Sequence, residues 1–289
     1  MKRIIPSDEL PINNDGSVFH LHITPGQLAD RVVMVGDPAR VTLIAAYFDS
    51  IEFDRQNREF RIITGMYKGK RITALSHGIG CDNIDIVVNE LDALANIDLQ
   101  TRTVHDSFRQ LTMVRIGTSG GVQPICPIGS YVVSEISMGM DGLLFFYEQG
   151  ESVCNLELTA HFQEHTHWNL KLATPYFVEA DTELVNRIGF DMLKGITCSA
   201  NGFYGPQGRY VRLPLTDPRQ NLLLESFEYQ GKKICNYEME SAALAGLSAM
   251  MGHQAMTVCL IIAGRYSGKM KTDYQPLLDD LIIKVLDRI

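Results

Sequence analysis

The chain has 289 residues, 45% hydrophobic and 21% charged, and this ordinary globular composition excludes disordered, collagen-like and coiled-coil proteins. Its net charge of -8 argues against a nucleic-acid-binding protein, whose affinity depends on neutralising phosphates. Six scattered cysteines without a Cys-x-x-Cys pair predict neither a disulfide framework nor a thiolate zinc site. The basic N-terminus lacks an apolar signal segment, and no apolar run is long enough to span a membrane, so we expect a cytoplasmic protein.

Short β-branched segments alternate along the chain with helical patterns. Strands are predicted at 31–35, 61–66, 71–75, 111–116, 131–133 and 256–262. Helices are predicted at 83–97 and 238–251, where apolar residues recur at helical spacing or Ala, Leu and Met accumulate. This alternation is typical of an α/β protein with a largely parallel sheet. No linker-like stretch divides the chain, so we expect a single domain over 1–289.

Two glycine-bearing turns follow predicted strands, and each is accompanied by an arginine. The first runs from Gly36 to Arg40, and the second, from Gly117 to Gly121, contains Thr118 and directly follows Arg115 and Ile116. Ligands bind at the carboxyl ends of parallel strands, where glycines let backbone N–H groups approach an anion and guanidinium groups bind its oxygens. The turns therefore predict an oxyanion site. Neither turn matches a P-loop, and the segment Gly78–Gly80 lacks the third glycine of a dinucleotide fingerprint, so neither ATP nor NAD is expected.

Seven segments in chain order carry a resemblance to one family. They are VFHLHIT (18–24), VGDPARV (35–41), REF (58–60), SHGIG (76–80), RIGTSGG (115–121), FYGPQGRY (203–210) and NYEMES (236–241). Together they resemble the nucleoside phosphorylase superfamily and, within it, the uridine phosphorylases. The resemblance implies a three-layer α/β/α fold with a central mixed sheet. It also implies reversible phosphorolysis of a pyrimidine nucleoside to the free base and ribose 1-phosphate, without a cofactor and with inorganic phosphate as co-substrate.

The resemblance assigns residues to the three parts of a nucleoside site. For phosphate they are Gly36, Arg40, Arg115 and Thr118, with Arg58 supplied by the neighbouring subunit. For ribose they are Met239 and Glu240, with His20 supplied across the same interface. For the base they are Phe203, Gln207 and Arg209. Arg115, Gln207, Arg209 and Glu240 would carry catalysis, and the shared site implies at least a homodimer.

The chemistry of glycosidic cleavage agrees with these assignments. The departing base takes negative charge, and Gln207 and Arg209 can donate hydrogen bonds to its oxygens. Glu238 and Glu240, if both lie on the predicted helix, do not share a face, so we expect only Glu240 to meet the ligand. Phe203 has two open interpretations, stacking on the pyrimidine or packing in the core.

Several features leave alternatives open. Purine-specific members carry an aspartate where this chain has Ala263-Gly264-Arg265, which favours uridine, with deoxyuridine and thymidine as further candidates. The nearer alternative is a purine nucleoside phosphorylase or nucleosidase of the same fold. A more distant one is a zinc hydrolase built on His161 and His165, which fit H-x-x-E-H, and another is a non-catalytic nucleoside-binding protein.

The sequence also departs from the family pattern. An N-terminal extension is expected at about 1–16 and an insertion at about 139–172, and the insertion favours a dimer over a hexamer. Asn83 occupies a position that resembles a monovalent-cation ligand. No metal is assigned, and potassium near Glu59 stays open.

Overall fold

The computed structural model describes residues 2–289, which are organised by one mixed β-sheet and seven α-helices. The strands, numbered in chain order, are β1 Arg31–Val35, β2 Ser50–Asn57, β3 Phe60–Tyr67, β4 Lys70–Ser76, β5 Ile97–Asp98, β6 Thr103–Val104, β7 Thr112–Gly121, β8 Tyr131–Gly139, β9 Tyr176–Glu179, β10 Leu193–Ser199, β11 Glu228–Tyr229, β12 Lys232–Glu238, β13 Gln254–Gly264 and β14 Lys269–Met270. The α-helices are α1 Pro38–Ala45, α2 Cys81–Asn96, α3 Leu156–Thr166, α4 Thr182–Ile188, α5 Gln220–Ser226, α6 Ser241–Met251 and α7 Gln275–Arg288.

The main sheet contains both parallel and antiparallel pairs, with the order β11-β12-β10-β8-β13-β7-β1-β4-β3-β2. Strand β1 pairs in parallel with β4 and β7, and β7 pairs in parallel with β13. Strands β2, β3 and β4 form an antiparallel edge, and β13 runs antiparallel to β8. The sheet is therefore mixed, as the family resemblance implies, and less parallel than the strand–helix alternation alone predicts.

An additional pairing joins two strands that lie far apart in the sheet order. Gly121 and Gly120 of β7 pair antiparallel with Asn236 and Tyr237 of β12. Because β12 also connects to β7 through β10, β8 and β13, this pairing closes five strands into a ring. The closure brings the carboxyl end of β12 against the carboxyl half of β7.

Helices cover the sheet on two sides. Side chains on a strand alternate between faces, and in β1 Val32 and Met34 belong to the cluster that contains α2 and α6. Val33 and Val35 belong to the opposite cluster, with the buried faces of α1, α4 and α7. This arrangement confirms the three-layer α/β/α fold. Among residues 2–289, no helix combines the length and apolar character needed to cross a lipid bilayer.

All six predicted strands are present, but the turn predicted at Gly117–Gly121 and the start predicted for the helix 238–251 are wrong. Gly117–Gly121 is not a turn, because β7 continues through it while pairing with β13 on one side and with β12 at its end. The predicted helix 238–251 begins only at Ser241. Glu238 instead ends β12, where it pairs in register with Ser199 of β10.

The segment 139–172 contributes helix α3 to a third core cluster. Phe162 on this helix is fully buried, with its ring centre 5.2 Å from that of Phe227. His165 Nε2 lies 3.1 Å from the Leu223 carbonyl oxygen, and the His161 ring packs against the ring of Phe227. No group of three or more His, Cys, Asp or Glu side chains in residues 2–289 could hold a metal ion. The geometry gives the zinc-hydrolase alternative no support.

Candidate active site

A cavity of about 720 Å³ opens at the carboxyl ends of β1, β4, β7 and β12. Nine of the predicted site residues line it: Gly36, Arg40, Arg115, Thr118, Phe203, Gln207, Arg209, Met239 and Glu240. The volume falls in the range of small-molecule sites. The cavity therefore joins, in one space, the residues predicted for phosphate, ribose and base.

The predicted phosphate residues come together at one end of the cavity. Gly36 follows β1, and α1 begins two residues later with Asp37 as its N-cap, whose Oδ1 accepts a hydrogen bond from Ala39 N at 2.9 Å. Arg40 Nη2 on α1 lies 3.5 Å from Thr118 Oγ1 on β7. A Cβ at Gly36 would lie 3.2 Å from the Gly78 carbonyl oxygen, so a side chain there would crowd the cavity edge.

Arg115, only 4% exposed, lies at the centre of the polar part of the cavity. Its Nη1 lies 2.9 Å from Glu238 Oε2, and its Nη2 contacts Glu240 Oε2. Although burial opposes its charge, Glu240 and Glu238 raise the pKa of Arg115 above the ordinary value. Arg115 is therefore a permanent cation held between two carboxylates.

Both glutamates of the NYEMES segment line the cavity, whereas the sequence predicted a ligand role for Glu240 alone. Glu238 Oε2 accepts hydrogen bonds from the backbone N of Glu240 and of Ser241, each at 2.9 Å, and so caps α6. Glu240 Oε1 accepts from Gly80 N at 2.7 Å. The sequence does not indicate the contact of Glu238 with Arg115, because Ile234 is the one β-branched residue of β12 and the strand has no clear local signal.

Carboxylates outnumber arginines among the charged side chains that line the cavity: Asp37, Glu59, Glu238 and Glu240 against Arg40, Arg115 and Arg209. Burial raises the pKa of Glu240, and the neighbouring charge of Glu238 adds to the effect while Arg115 opposes it. The arginines of the cavity are therefore already matched by carboxylates, so they leave no excess positive charge for an anion. A further cation near the cavity would favour phosphate binding.

The predicted base residues form a connected group at the other end. Gln207, 2% exposed, ends a short 3-10 helix, and its Oε1 accepts a hydrogen bond from Arg209 Nη1. The Arg209 guanidinium lies over the half-exposed Phe203 ring, 3.7 Å from its centre. Burial, together with the charge of Arg265, lowers the pKa of Arg209 to about 10. Phe203 thus stacks on an arginine at the cavity wall and does not pack in the core.

Arg265 is a base-side residue to which the sequence assigned no role. It follows β13, and its Nη2 donates to the Gln207 carbonyl oxygen at 2.8 Å. Its backbone N donates to the Gly121 carbonyl oxygen at 2.7 Å. The signal in the sequence is that a basic residue stands in the segment where purine-specific members carry an aspartate. Arg265 fixes the loop that presents Gln207.

His20 and Arg58 do not line the cavity of their own chain. The residue before Arg58 contacts His20, because Asn57 Nδ2 donates to the His20 carbonyl oxygen at 2.7 Å. The His20 Nδ1 lies 2.7 Å from Glu90 Oε1 on α2, which orients the ring. Glu59, which follows Arg58, does line the cavity. Arg58 is thus exposed and next in the chain to a residue of the cavity wall.

The predicted cation position lies beside the same edge. A Cβ at Gly78, whose φ is +75°, would lie 2.4 Å from Asn83 Nδ2 and 3.0 Å from Glu59 Cγ. The side chains of Glu59 and Asn83 thus both lie next to Gly78. Within the described part of the chain, these residues do not belong to any cluster of His, Cys, Asp and Glu with metal-binding spacing.

Comparison with known proteins places this geometry in a family. The uridine phosphorylase of Thermococcus kodakarensis is 28% identical over 97% of this chain and 90% of its own length. That of Escherichia coli is 30% identical over 86% of each chain. A crystal structure of a Trypanosoma brucei nucleoside phosphorylase, described as having uridine phosphorylase activity, has a TM-score of 0.87 at 30% identity and covers 97% of this chain and 100% of its own. A DeoD-type purine nucleoside phosphorylase from Tolumonas auensis is 23% identical. The profile of the Phosphorylase superfamily matches residues 30–279, and the chain belongs to that superfamily.

Proposed function

We propose that this protein catalyses the reversible phosphorolysis of uridine to uracil and ribose 1-phosphate. One observation carries the proposal: a single cavity joins the Arg40–Thr118 pair at one end to the Gln207–Arg209 pair at the other, with Glu240 also in its wall. The similarity to uridine phosphorylases over most of the chain supports the same activity. Deoxyuridine and thymidine are further candidate substrates, because sugar selection depends on small shifts around Met239 and Glu240.

In the proposed reaction, the bond between the ribose C1' and the uracil nitrogen breaks while a phosphate oxygen bonds to C1'. The sugar carries positive charge in the transition state and the uracil leaves as an anion, which takes up a proton. Gln207 and Arg209 donate to the oxygens of that anion, and Glu240 accepts from the ribose hydroxyls. Arg40, Arg115 and Thr118 would align the phosphate, so alignment and charge carry catalysis and no protein general base is needed.

The base end of the cavity favours a pyrimidine over a purine. At the position of the purine-type aspartate, Arg265 is committed to the Gln207 carbonyl oxygen. A cation there cannot donate the proton that a departing purine takes up from a carboxylic acid. The lower identity of the DeoD-type enzyme supports the same preference. A purine phosphorylase or nucleosidase is the second candidate only if inosine is cleaved faster than uridine.

We infer that the active form is a cytoplasmic homodimer in which each chain completes the site of the other. Glu59, the neighbour of Arg58 in the chain, lines the cavity, and the cavity has no excess of positive charge, so a further cation would favour phosphate binding; the partner's Arg58 would supply it. The partner's His20 would reach the ribose 5'-hydroxyl, and its ring is already oriented by Glu90. The six free cysteines suit a reducing compartment.

The assay that tests the reaction measures base release from uridine, thymidine and inosine, each with and without inorganic phosphate. We expect phosphate-dependent uracil release, with uridine cleaved faster than inosine. Cleavage without phosphate would establish a nucleosidase, and uridine binding without any product would establish a binding protein.

The shared site is tested by mixing two inactive variants, Arg58→Ala and Arg115→Ala. In a mixed dimer, the Arg58→Ala chain keeps its Arg115 and receives Arg58 from its partner, so one of two sites is intact. Random exchange at equal amounts should then restore about a quarter of the wild-type activity, since half of the dimers are mixed. A mixture as inactive as its components would mean that Arg58 does not act across an interface.

A further inference from the structure

A buried histidine beside Arg115 is not explained by the assignments above. His77 follows β4, has no exposed surface, and its backbone N donates to the Val35 carbonyl oxygen at 2.9 Å. Its Nε2 lies 3.2 Å from Arg115 Nε, which donates to it. His77 therefore accepts a hydrogen bond from the guanidinium that lies at the centre of the polar part of the cavity.

The donors of Arg115 can be accounted for one by one. A guanidinium has five N–H groups, one on Nε and two on each Nη. The Nε–H goes to His77, and the two Nη1–H groups face Glu238 Oε2 at 2.9 Å and Cys259 Sγ at 3.9 Å. One Nη2–H goes to Glu240. The remaining Nη2–H is the donor left for a ligand in the cavity.

The protonation state of His77 suits this role. Burial, followed by the charges of Arg115 and Arg40, holds the pKa of His77 well below its usual range, so the ring is neutral. Because Nε2 accepts from Arg115, the ring proton must sit on Nδ1. Nδ1 is buried, and a hydrogen bond to the backbone of Gly78 favours a proton on the ring. With its proton on Nδ1, the neutral ring presents Nε2 to Arg115 as an acceptor.

We propose that His77 is a positioning residue for phosphate recognition, which fixes the orientation of the Arg115 guanidinium so that its remaining Nη2–H points at the phosphate. This inference rests on the proposed function, since it names a residue that acts on the same site. A neutral acceptor is the suitable partner, because a third carboxylate beside Glu238 and Glu240 would repel the phosphate. Without it, the two glutamates alone would set the orientation of Arg115.

Two substitutions separate this role from simple packing. His77→Phe fills the space but removes the acceptor, whereas the side-chain oxygen of His77→Gln can reach the place of Nε2. We expect His77→Phe to raise the KM for phosphate and the Kd of inorganic phosphate measured by calorimetry about 10-fold or more, with the KM for uridine changed by less than about 3-fold. His77→Gln should stay within about 3-fold of wild type in all three constants. Equal losses in both variants, or no loss in His77→Phe, would overturn the proposal.

A double-substitution cycle gives a readout that packing alone would not move. Lysine has no Nε–H fork, so in an Arg115→Lys background His77→Phe should cost little further phosphate affinity. Full additivity would overturn the proposal. If His77→Phe does not fold, the ¹⁵N spectrum of the wild-type imidazole decides, with the His77 signals identified by their loss in His77→Gln. A neutral ring with its proton on Nδ1 at pH 7 is expected, and a charged ring or a proton on Nε2 overturns it.

The two hypotheses fail in different ways. Absence of phosphate-dependent uracil release by the wild-type enzyme refutes the proposed function. Normal wild-type turnover with indistinguishable His77→Phe and His77→Gln refutes only the role of His77.

Discussion

Gly117→Ala should damage phosphate use by displacing Arg115, although residue 117 itself offers no functional group. A Cβ at this position would lie 2.8 Å from both Arg115 Nη1 and Cys259 Sγ, and 3.3 Å from Arg115 Cζ. Ordinary contacts begin at 3.4 Å, so the guanidinium must move by about 0.6 Å or more in a densely packed interior. Overpacking of this kind costs about 1–3 kcal/mol.

The displacement has a kinetic and a thermal consequence. Misplacement of a positioning group by up to 1 Å can cost about 100-fold in rate, so we expect kcat/KM for phosphate to fall about 10- to 100-fold. The melting temperature should fall by about 2–12 °C, from the same overpacking energy. Steady-state phosphate titrations at saturating uridine and thermal unfolding measure the two effects.

Gly26→Ala is the matched control, because its Cβ would meet nothing within 4 Å. It makes the same chemical change at a site away from the cavity, and it should leave both phosphate kinetics and melting temperature near wild type. Gly117→Ala with the phosphate kinetics of this control would refute the reasoning, because Arg115 would then tolerate the shift or play no part in phosphate binding.

Three further predictions follow from the site. Gln207→Ala should lower kcat on uridine about 100-fold while changing the KM for phosphate little, because its partner is the base; equal losses in both would contradict that role. Because the pKa of Glu240 is raised above its ordinary value of 4.5, acidification protonates this carboxylate at a pH above 4.5. The kcat/KM for uridine should therefore fall on the acid side of the pH profile, and Glu240→Gln should abolish this decrease. His161→Ala and His165→Ala should retain uridine cleavage in the presence of a strong chelator, and a loss specific to either variant would revive a catalytic role for that helix.

The sequence predicted the parts of the site that local pattern determines. A continuous apolar strand followed by glycine identifies β1 and Gly36, and the motif segments place nine residues that do line one cavity. Local pattern failed where pairing over long distances decides the structure. Gly117–Gly121 remains a strand because β13 and β12 pair with it. Glu238 belongs to β12 because it pairs with Ser199 of β10.

The role of His77 also lay beyond the sequence, for a related reason. A histidine after a strand has no distinguishing local pattern, and its meaning depends on the Arg115 side chain from a different strand. The same holds for Arg265, which acts on a loop that precedes it by 58 residues in the chain. In both cases, the chemistry is set by which side chains the sheet brings together.

The ring of five strands ties the assembly of the site to the folding of the long segment from Thr112 to Gly264. Its closing pair joins β7 to β12, and the ion pair inside it connects Arg115 to Glu240, 125 residues apart. Contacts of such separation carry a large loop-closure entropy and form after local helices and hairpins. A chain that ends before β12, such as a nascent chain still on the ribosome, therefore lacks the carboxylates that hold Arg115. Phosphate-binding competence should consequently appear as one of the last events of folding, and truncated chains should lack it altogether.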